Sequence, residues 1–155
     1  MVQRFYFDTS VFGGMFDAEF EEDTTLLFEK VTLGQMICAY SELTESELAS
    51  VPNWVQQHFL NIAAKHGELI KISPEALKLA QTYIEEKVVG ETSLDDYIHI
   101  AIATISKFDM LVSWNFKHIV NVYRIRGYNS VNLRLGYSTL EIRSPKDIVG
   151  NENDR

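Results

Sequence analysis

Residues 93–119 read SLDDYIHIAIATISKFDMLVSWNFKHI, and the parsing of this stretch decides the fold. Ser93 is a good helix N-cap, with Asp96 three residues on at the spacing of a capping box. Leu94, Tyr97, Ile98, Ala101, Ile102 and Ile105 then recur at helical spacing and make one apolar face. Met110-Leu111-Val112 is a short apolar run suited to a buried parallel strand. It ends in Ser113-Trp114-Asn115, a polar group at the carboxyl end of a strand, where open α/β sheets bind ligands. An acidic helix start (Asp95, Asp96) and a polar strand end (Ser113, Asn115) are therefore expected at one edge of a sheet.

Working outward, Arg4 to Phe7 alternates and is aromatic-rich, which predicts a first strand with Asp8 at its carboxyl end. Thr9 and Ser10 suit a turn, Gly13-Gly14 loosens the chain, and 17–23 reads as an acidic solvated loop. A short helix around Leu26 to Val31 is expected to end at Gly34, placed as a C′ glycine. Met36 to Tyr40 predicts strand two. Thr44 is a candidate N-cap with Glu47 at N3. Pro52 ends that helix, and Trp54 to Lys65 forms another. Leu69 to Ile72 predicts strand three, and Ser73-Pro74-Glu75 starts a helix running to about Val88. Beyond the central stretch, a helix is expected over Phe116 to Tyr123, then a loop with a short helical turn over Asn129 to Tyr137, and a last strand over Thr139 to Ile142. Strands alternating with helices imply a three-layer α/β/α sandwich with a mainly parallel central sheet.

The chain has 155 residues, so a single domain over 1–150 with a polar tail at 151–155 is the expectation. Apolar residues make up 46%, enough for a core, with no apolar run of membrane-spanning length. The N-terminus lacks the long apolar segment of a signal peptide. Cys38, the one cysteine, lies in the apolar run MICAY and reads as a buried inert thiol. A cytoplasmic protein is the expectation. The net charge of −8 argues against a protein that coats nucleic acid broadly. The charge is uneven. Asp8, Asp17, Glu19, Glu21, Glu22, Asp23, Glu29, Glu42, Glu45 and Glu47 face only Arg4 and Lys30 in the first 50 residues. Lys107, Lys117, Arg124, Arg126, Arg134, Arg143 and Lys146 dominate 101–150. Such a division suits a metal site beside a phosphate-binding rim, or simply a mixed solvated surface.

Asp8, Glu47, Asp96 and Asn115 all fall at strand ends or helix starts that share one edge of a parallel sheet, and are expected to converge in one surface pocket. Like-charged carboxylates at short range raise one another's pKa unless a cation neutralises them. An oxygen-only set without a Cys or His cluster selects a hard cation such as Mg²⁺ or Mn²⁺. Metal-bound water beside a phosphate is a nucleophile for phosphodiester hydrolysis. Each residue also has a plainer reading: Asp8 as an Asx turn, Glu47 as a capping-box partner, Asp96 as the partner of Ser93, Asn115 as a helix cap. His99 and His118 have no second His or Cys at zinc spacing, and His99 reads as a hydrogen-bonded helix histidine. Trp114 is placed either to stack on a base or to pack as a core aromatic.

Taken in order, the strand ending in Asp8-Thr9-Ser10, the segment SELTESEL with Glu47-Leu48, the run Asp96-Tyr97-Ile98-His99-Ile100-Ala101-Ile102-Ala103 and LVSWNFKHI resemble a PIN domain. More narrowly they resemble toxin nucleases of the VapC type from bacterial type II toxin–antitoxin pairs. The resemblance spans nearly the whole chain. It implies an α/β/α sandwich, a Mg²⁺- or Mn²⁺-dependent endoribonuclease, RNA as substrate, a small antitoxin as partner and a homodimer. It makes Asp8, Glu47 and Asp96 the metal ligands and catalytic acids, with Asp95 the competing third acid. Asn115 stands where many PIN domains carry a fourth acid, a departure that bears on a second metal. Ser113 matches the Ser/Thr beside that position. Ser10, Ser113, Trp114 and Lys117 are the expected substrate contacts. A catalytically silent PIN-like module binding RNA or antitoxin is the alternative, and Asn115 is its sequence feature. A phosphatase with an aspartyl nucleophile is disfavoured, because Ser10 stands where that chemistry wants a second Asp.

Overall fold

The computed structural model of the protein describes residues 2–87, 90 and 92–153, the last three by backbone alone. The expected helix end at Val88 and the last two residues of the expected tail, Asp154 and Arg155, lie outside the described residues.

Five strands are described: β1 (Gln3–Phe7), β2 (Met36–Ser41), β3 (Gly67–Ile70), β4 (Met110–Val112) and β5 (Ile142–Arg143). They form an all-parallel sheet in the order β3-β2-β1-β4-β5. The helices are α1 (Thr9–Gly14), α2 (Glu21–Thr32), α3 (Glu42–Leu48), α4 (Asn53–His66), α5 (Pro74–Glu86), α6 (Leu94–Ile105), α7 (Val122–Arg134) and α8 (Pro145–Asn153).

Alternation along β1 feeds two cores. Tyr6 packs with Leu79, Tyr83, Ile98, Ile102 and Tyr128 of α5, α6 and α7. Phe5 and Phe7 face the other way, onto Phe12, Leu27, Phe28 and Phe59 of α1, α2 and α4. Helices on both faces of a parallel sheet bury its strands on both sides, which is why β1, β2 and β4 read as apolar runs. Among the described residues no helix is long and apolar enough to cross a membrane.

Several local expectations need correction. Ser41, not Thr44, caps α3: the Ser41 hydroxyl accepts from Leu43 N–H and Thr44 N–H, and the Thr44 hydroxyl accepts from Ser41 N–H. The cap falls earlier because Ser41 ends β2 in an extended conformation, as an N-cap requires. Glu47 thereby leaves the capping box and lies in the last turn of α3. The helix expected over Phe116 to Tyr123 is a turn, and α7 begins only at Val122, where Asn121 accepts from Tyr123 N–H and Arg124 N–H. The segment read as loop over Asn129 to Tyr137 lies mostly within α7. Thr9 to Gly14 is helical rather than a loosened turn. Gly14 closes it because a side chain there would strike the Trp114 indole at 2.6 Å. Helix α8 has no counterpart among the sequence expectations, and its backbone runs through 151–153, where a polar tail is expected.

Ser93 does cap α6, accepting from Asp96 N–H, and Gly34 follows α2 with φ +74, the conformation glycine permits. The consequence for function is topological. The strand order reverses between β1 and β4, and their carboxyl ends carry Asp8 and Ser113. Crevices at such a reversal are where open α/β sheets bind ligands.

Candidate active site

Asp8 is the innermost acid, only 4% exposed. Its Oδ1 accepts from Ser10 N–H at 3.1 Å and from the Ser10 hydroxyl at 2.6 Å, and its Oδ2 accepts from the Ser113 hydroxyl at 2.6 Å. Ser10 Oγ in turn accepts from Trp114 N–H, and Ser113 Oγ from Asn115 N–H. Two serines thus clamp the carboxylate and tie the loop after β4 to the start of α1. Burial pushes the Asp8 carboxyl above its ordinary range. The His99 charge and the two serine hydroxyls pull it back, and the Asp96 charge adds to the push.

Glu47 lies on the other side of Thr9. Its Oε1 accepts from the Thr9 hydroxyl at 2.8 Å and sits 2.5 Å from His99 Nε2. Burial pushes this carboxyl up as well, but the hydrogen bond and charge of His99, with the Thr9 hydroxyl, outweigh it and hold it below its ordinary range. Asp96, in the first turn of α6, accepts from the Thr92 hydroxyl at 2.6 Å. Of the Asp95–Asp96 pair, Asp96 is the acid whose charge bears on Asp8.

The Asp96 charge acts on Asp8, yet each of the three acids is turned to its own partners. Among the described residues no three His, Cys, Asp or Glu side chains lie close enough together to hold a metal ion. Asp8 turns to its serines, Glu47 to Thr9 and His99, and Asp96 to Thr92. The donor set still fits a hard divalent cation. Mg²⁺ takes one or two carboxylates directly and fills its remaining positions with water and phosphate oxygens. The buried, upward-shifted carboxyl of Asp8 is also a group whose ionised form a cation would favour.

The remaining expected residues divide. Asn115 places its amide oxygen 2.9 Å from His118 N–H, so it caps the turn of residues 115–118 and, through Ser113, steadies Asp8. Trp114 does not offer a face to a base. It is 6% exposed, its indole N–H donates to the Thr24 hydroxyl, and its ring stacks on Phe20 at 4.1 Å. Ser10 and Ser113 act on Asp8 in this structure. Lys117 is exposed and lines an open groove of about 770 Å³ beside the start of α6, together with Lys87, Thr92, Ser93, Tyr97 and His118.

His99 is the hydrogen-bonded helix histidine that its place in α6 suggests, and one of its partners is the acid Glu47. It is 2% exposed and uses both ring nitrogens, with Nδ1 2.6 Å from the Tyr6 hydroxyl. Tyr6 also bonds Ser41 Oγ at 2.8 Å, so the cap of α3 and the ring of His99 share one hydroxyl. The available signal was a polar ring three residues after Asp96 in an otherwise apolar run.

No family model and no curated protein matches the sequence. Solved structures do match it. VapBC2 from Rickettsia felis, bound to a fragment of its promoter DNA, superposes with a TM-score of 0.60 at 16% identity, over 92% of this chain and 98% of that one. The chain has a PIN-like fold. VapC20 of Mycobacterium tuberculosis, a toxin that cleaves the sarcin–ricin loop, matches with a TM-score of 0.58 at 9% identity over 88% and 98% of the two chains. A toxin–antitoxin complex from Klebsiella pneumoniae matches at 0.54 and 20% identity, over 72% and 87%. At these identities the likeness is one of fold.

Proposed function

We propose that the protein is a divalent-metal-dependent endoribonuclease that hydrolyses RNA phosphodiester bonds, and that it is the toxin of a toxin–antitoxin pair. The observation that carries this reading is Asp8, a buried carboxylate clamped by Ser10 and Ser113 at the reversal point of the sheet, with its pKa pushed up by burial and by Asp96. A buried charge with a second acid beside it is costly without a cation and useful with one.

Asp8 and Asp96 would hold Mg²⁺ or Mn²⁺, with Glu47 beside them. When bound, such an ion supplies an activated water and neutralises charge on the phosphate. Ser10 and Ser113 fix the Asp8 carboxylate in one orientation, which spares reorganisation during reaction. Asn115 caps the turn that follows Ser113 and donates its backbone N–H to the Ser113 hydroxyl. Lys117, at the rim of the groove, would take the RNA backbone as a point charge.

Two further features support the wider reading. The fold is shared with a sarcin–ricin loop cleaving toxin and with a chain of a toxin–antitoxin complex. Trp54, Leu60 and Leu77 stay exposed, at 61%, 55% and 48%, on the two helices with apolar surface to spare. Such surface suits an antitoxin or a second copy of the chain, and we propose a homodimer, which light scattering at micromolar concentration tests.

The scattered partners of the three acids favour the alternative of a catalytically silent module binding RNA or antitoxin. Incubating labelled RNA with the protein, with Mn²⁺ or with chelator, separates the two. The nuclease reading expects cleavage with Mn²⁺ alone and none from Asp8→Asn. Failure to cut any RNA with Mn²⁺ present sinks it.

A further inference from the structure

We propose that His99 is a positioning residue for the acidic site, fixing Glu47 so that a single carboxylate oxygen, Oε2, is offered to a cation or its water. The inference rests on the metal-dependent reading above and deepens it.

Glu47 Oε1 receives two donors, the Thr9 hydroxyl at 2.8 Å and His99 Nε2 at 2.5 Å, which fills both lone pairs of that oxygen. No hydrogen bond reaches Oε2 from the described residues. The carboxylate therefore has one saturated oxygen and one open oxygen, and a bidentate grip on an ion by Glu47 is closed off.

His99 can impose this because its ring cannot turn. The far nitrogen, Nδ1, lies 2.6 Å from the hydroxyl of Tyr6, a residue of the central strand β1. Tyr6 is fully buried and bonded to Ser41, the cap of α3, the helix on which Glu47 rides. Helix α6 supplies both Asp96 and His99, so the helix that carries one acid fixes the orientation of another. The ring is too deeply buried to touch substrate, and so acts through Glu47. Second partners that orient a ligating side chain typically govern metal affinity by about 10- to 100-fold.

Two substitutions separate positioning from packing. His99→Asn keeps a polar side chain near Tyr6 but is too short to reach Glu47. His99→Gln can place an amide N–H near the position of Nε2. Each is purified metal-free, its melting temperature is recorded, and Mn²⁺ binding is measured by titration calorimetry. His99→Asn is expected to weaken Mn²⁺ binding by about 10-fold or more, and His99→Gln to recover most of that loss at a similar melting temperature. Wild-type affinity in His99→Asn, or equal weakening in both variants, overturns the inference while leaving the nuclease reading intact. A wild-type protein that takes up no Mn²⁺ instead removes the metal-dependent reading, and this inference with it.

Discussion

Ser113 Oγ donates to Asp8 Oδ2 at 2.6 Å, joining the carboxyl ends of β4 and β1 across the reversal in strand order. Both residues are buried, so the bond is formed away from water. Ser113→Ala removes a hydroxyl bonded to a charged group and also leaves Asn115 N–H without its acceptor. The expected cost is about 2 kcal/mol in urea unfolding, with reduced RNA cleavage because Asp8 loses one side of its clamp. Unchanged stability would show that Asp8 finds an equivalent donor.

The pH dependence of stability follows from the raised Asp8 carboxyl. The folded chain keeps this proton at pH values where the unfolded chain, with its ordinary value of 3.8, has lost it. The native state therefore binds more protons across a window that starts near 3.8 and extends upward, and over that window stability falls as pH rises. Asp8→Asn removes this dependence. In chelator it is expected to be more stable than wild type at neutral pH, with the gap closing as pH falls toward the ordinary value. Glu47, held below its ordinary range, acts in the opposite sense and is common to both proteins, so the difference between the two isolates Asp8. Parallel urea titrations across this range provide the measurement.

The two glycines that end α1 are expected to respond oppositely to alanine. At Gly13 a Cβ meets nothing within 4 Å, so Gly13→Ala gains helix propensity, about 0.5–1 kcal/mol. At Gly14 it meets Trp114 Nε1 at 2.6 Å and Thr24 Oγ1 at 2.7 Å, both buried and bonded to each other. Overpacking of this kind costs about 1–3 kcal/mol, and the displaced Trp114 backbone would also pull on Ser10. Thermal melts of the two variants should move in opposite directions.

What the sequence made legible follows the physics of each segment. Helices α4, α5 and α6 present continuous apolar faces, and β1, β2 and β4 are apolar on both sides, so period and composition suffice to find them. Helix α7 escaped because its inward side carries polar residues. Asn132 is fully buried, accepting from the Tyr83 hydroxyl and donating to Thr104 and Asn129, while Asn129 bonds both backbone groups of Leu140. A helix stabilised by such a network looks like loop in a hydrophobic pattern. The start of α3 slipped because Ser41 and Thr44 are both cap types, and only the end of β2 chooses between them. At the site, Asp8 and Ser113 were readable as strand ends. The partner of His99 was not, since Glu47 lies 52 residues away and nothing local marks the pair. Trp114 was ambiguous for a similar reason: its stacking partner, Phe20, sits in a stretch that reads as solvated loop.

Position 115 provides the sharpest test of how the turn after β4 serves the acids. Asn115 accepts from His118 N–H and donates its own N–H to Ser113, whose hydroxyl reaches Asp8. Asn115→Ala loses the cap, worth about 1 kcal/mol, and is expected to lower activity modestly by loosening Ser113. Asn115→Asp keeps an acceptor for His118, so the turn should survive. It adds a negative charge near Asp8, whose carboxyl is already pushed up by burial and by Asp96. In the metal-free protein this further repulsion is unfavourable, because like charges raise one another's pKa. With Mn²⁺ present the same charge attracts the cation. The expected pattern is therefore reduced stability in chelator together with tighter Mn²⁺ binding, read by urea unfolding and calorimetry on one preparation. If Asn115→Asp changes neither, residue 115 serves the turn alone, and the acidic site of this chain is complete with Asp8, Glu47 and Asp96.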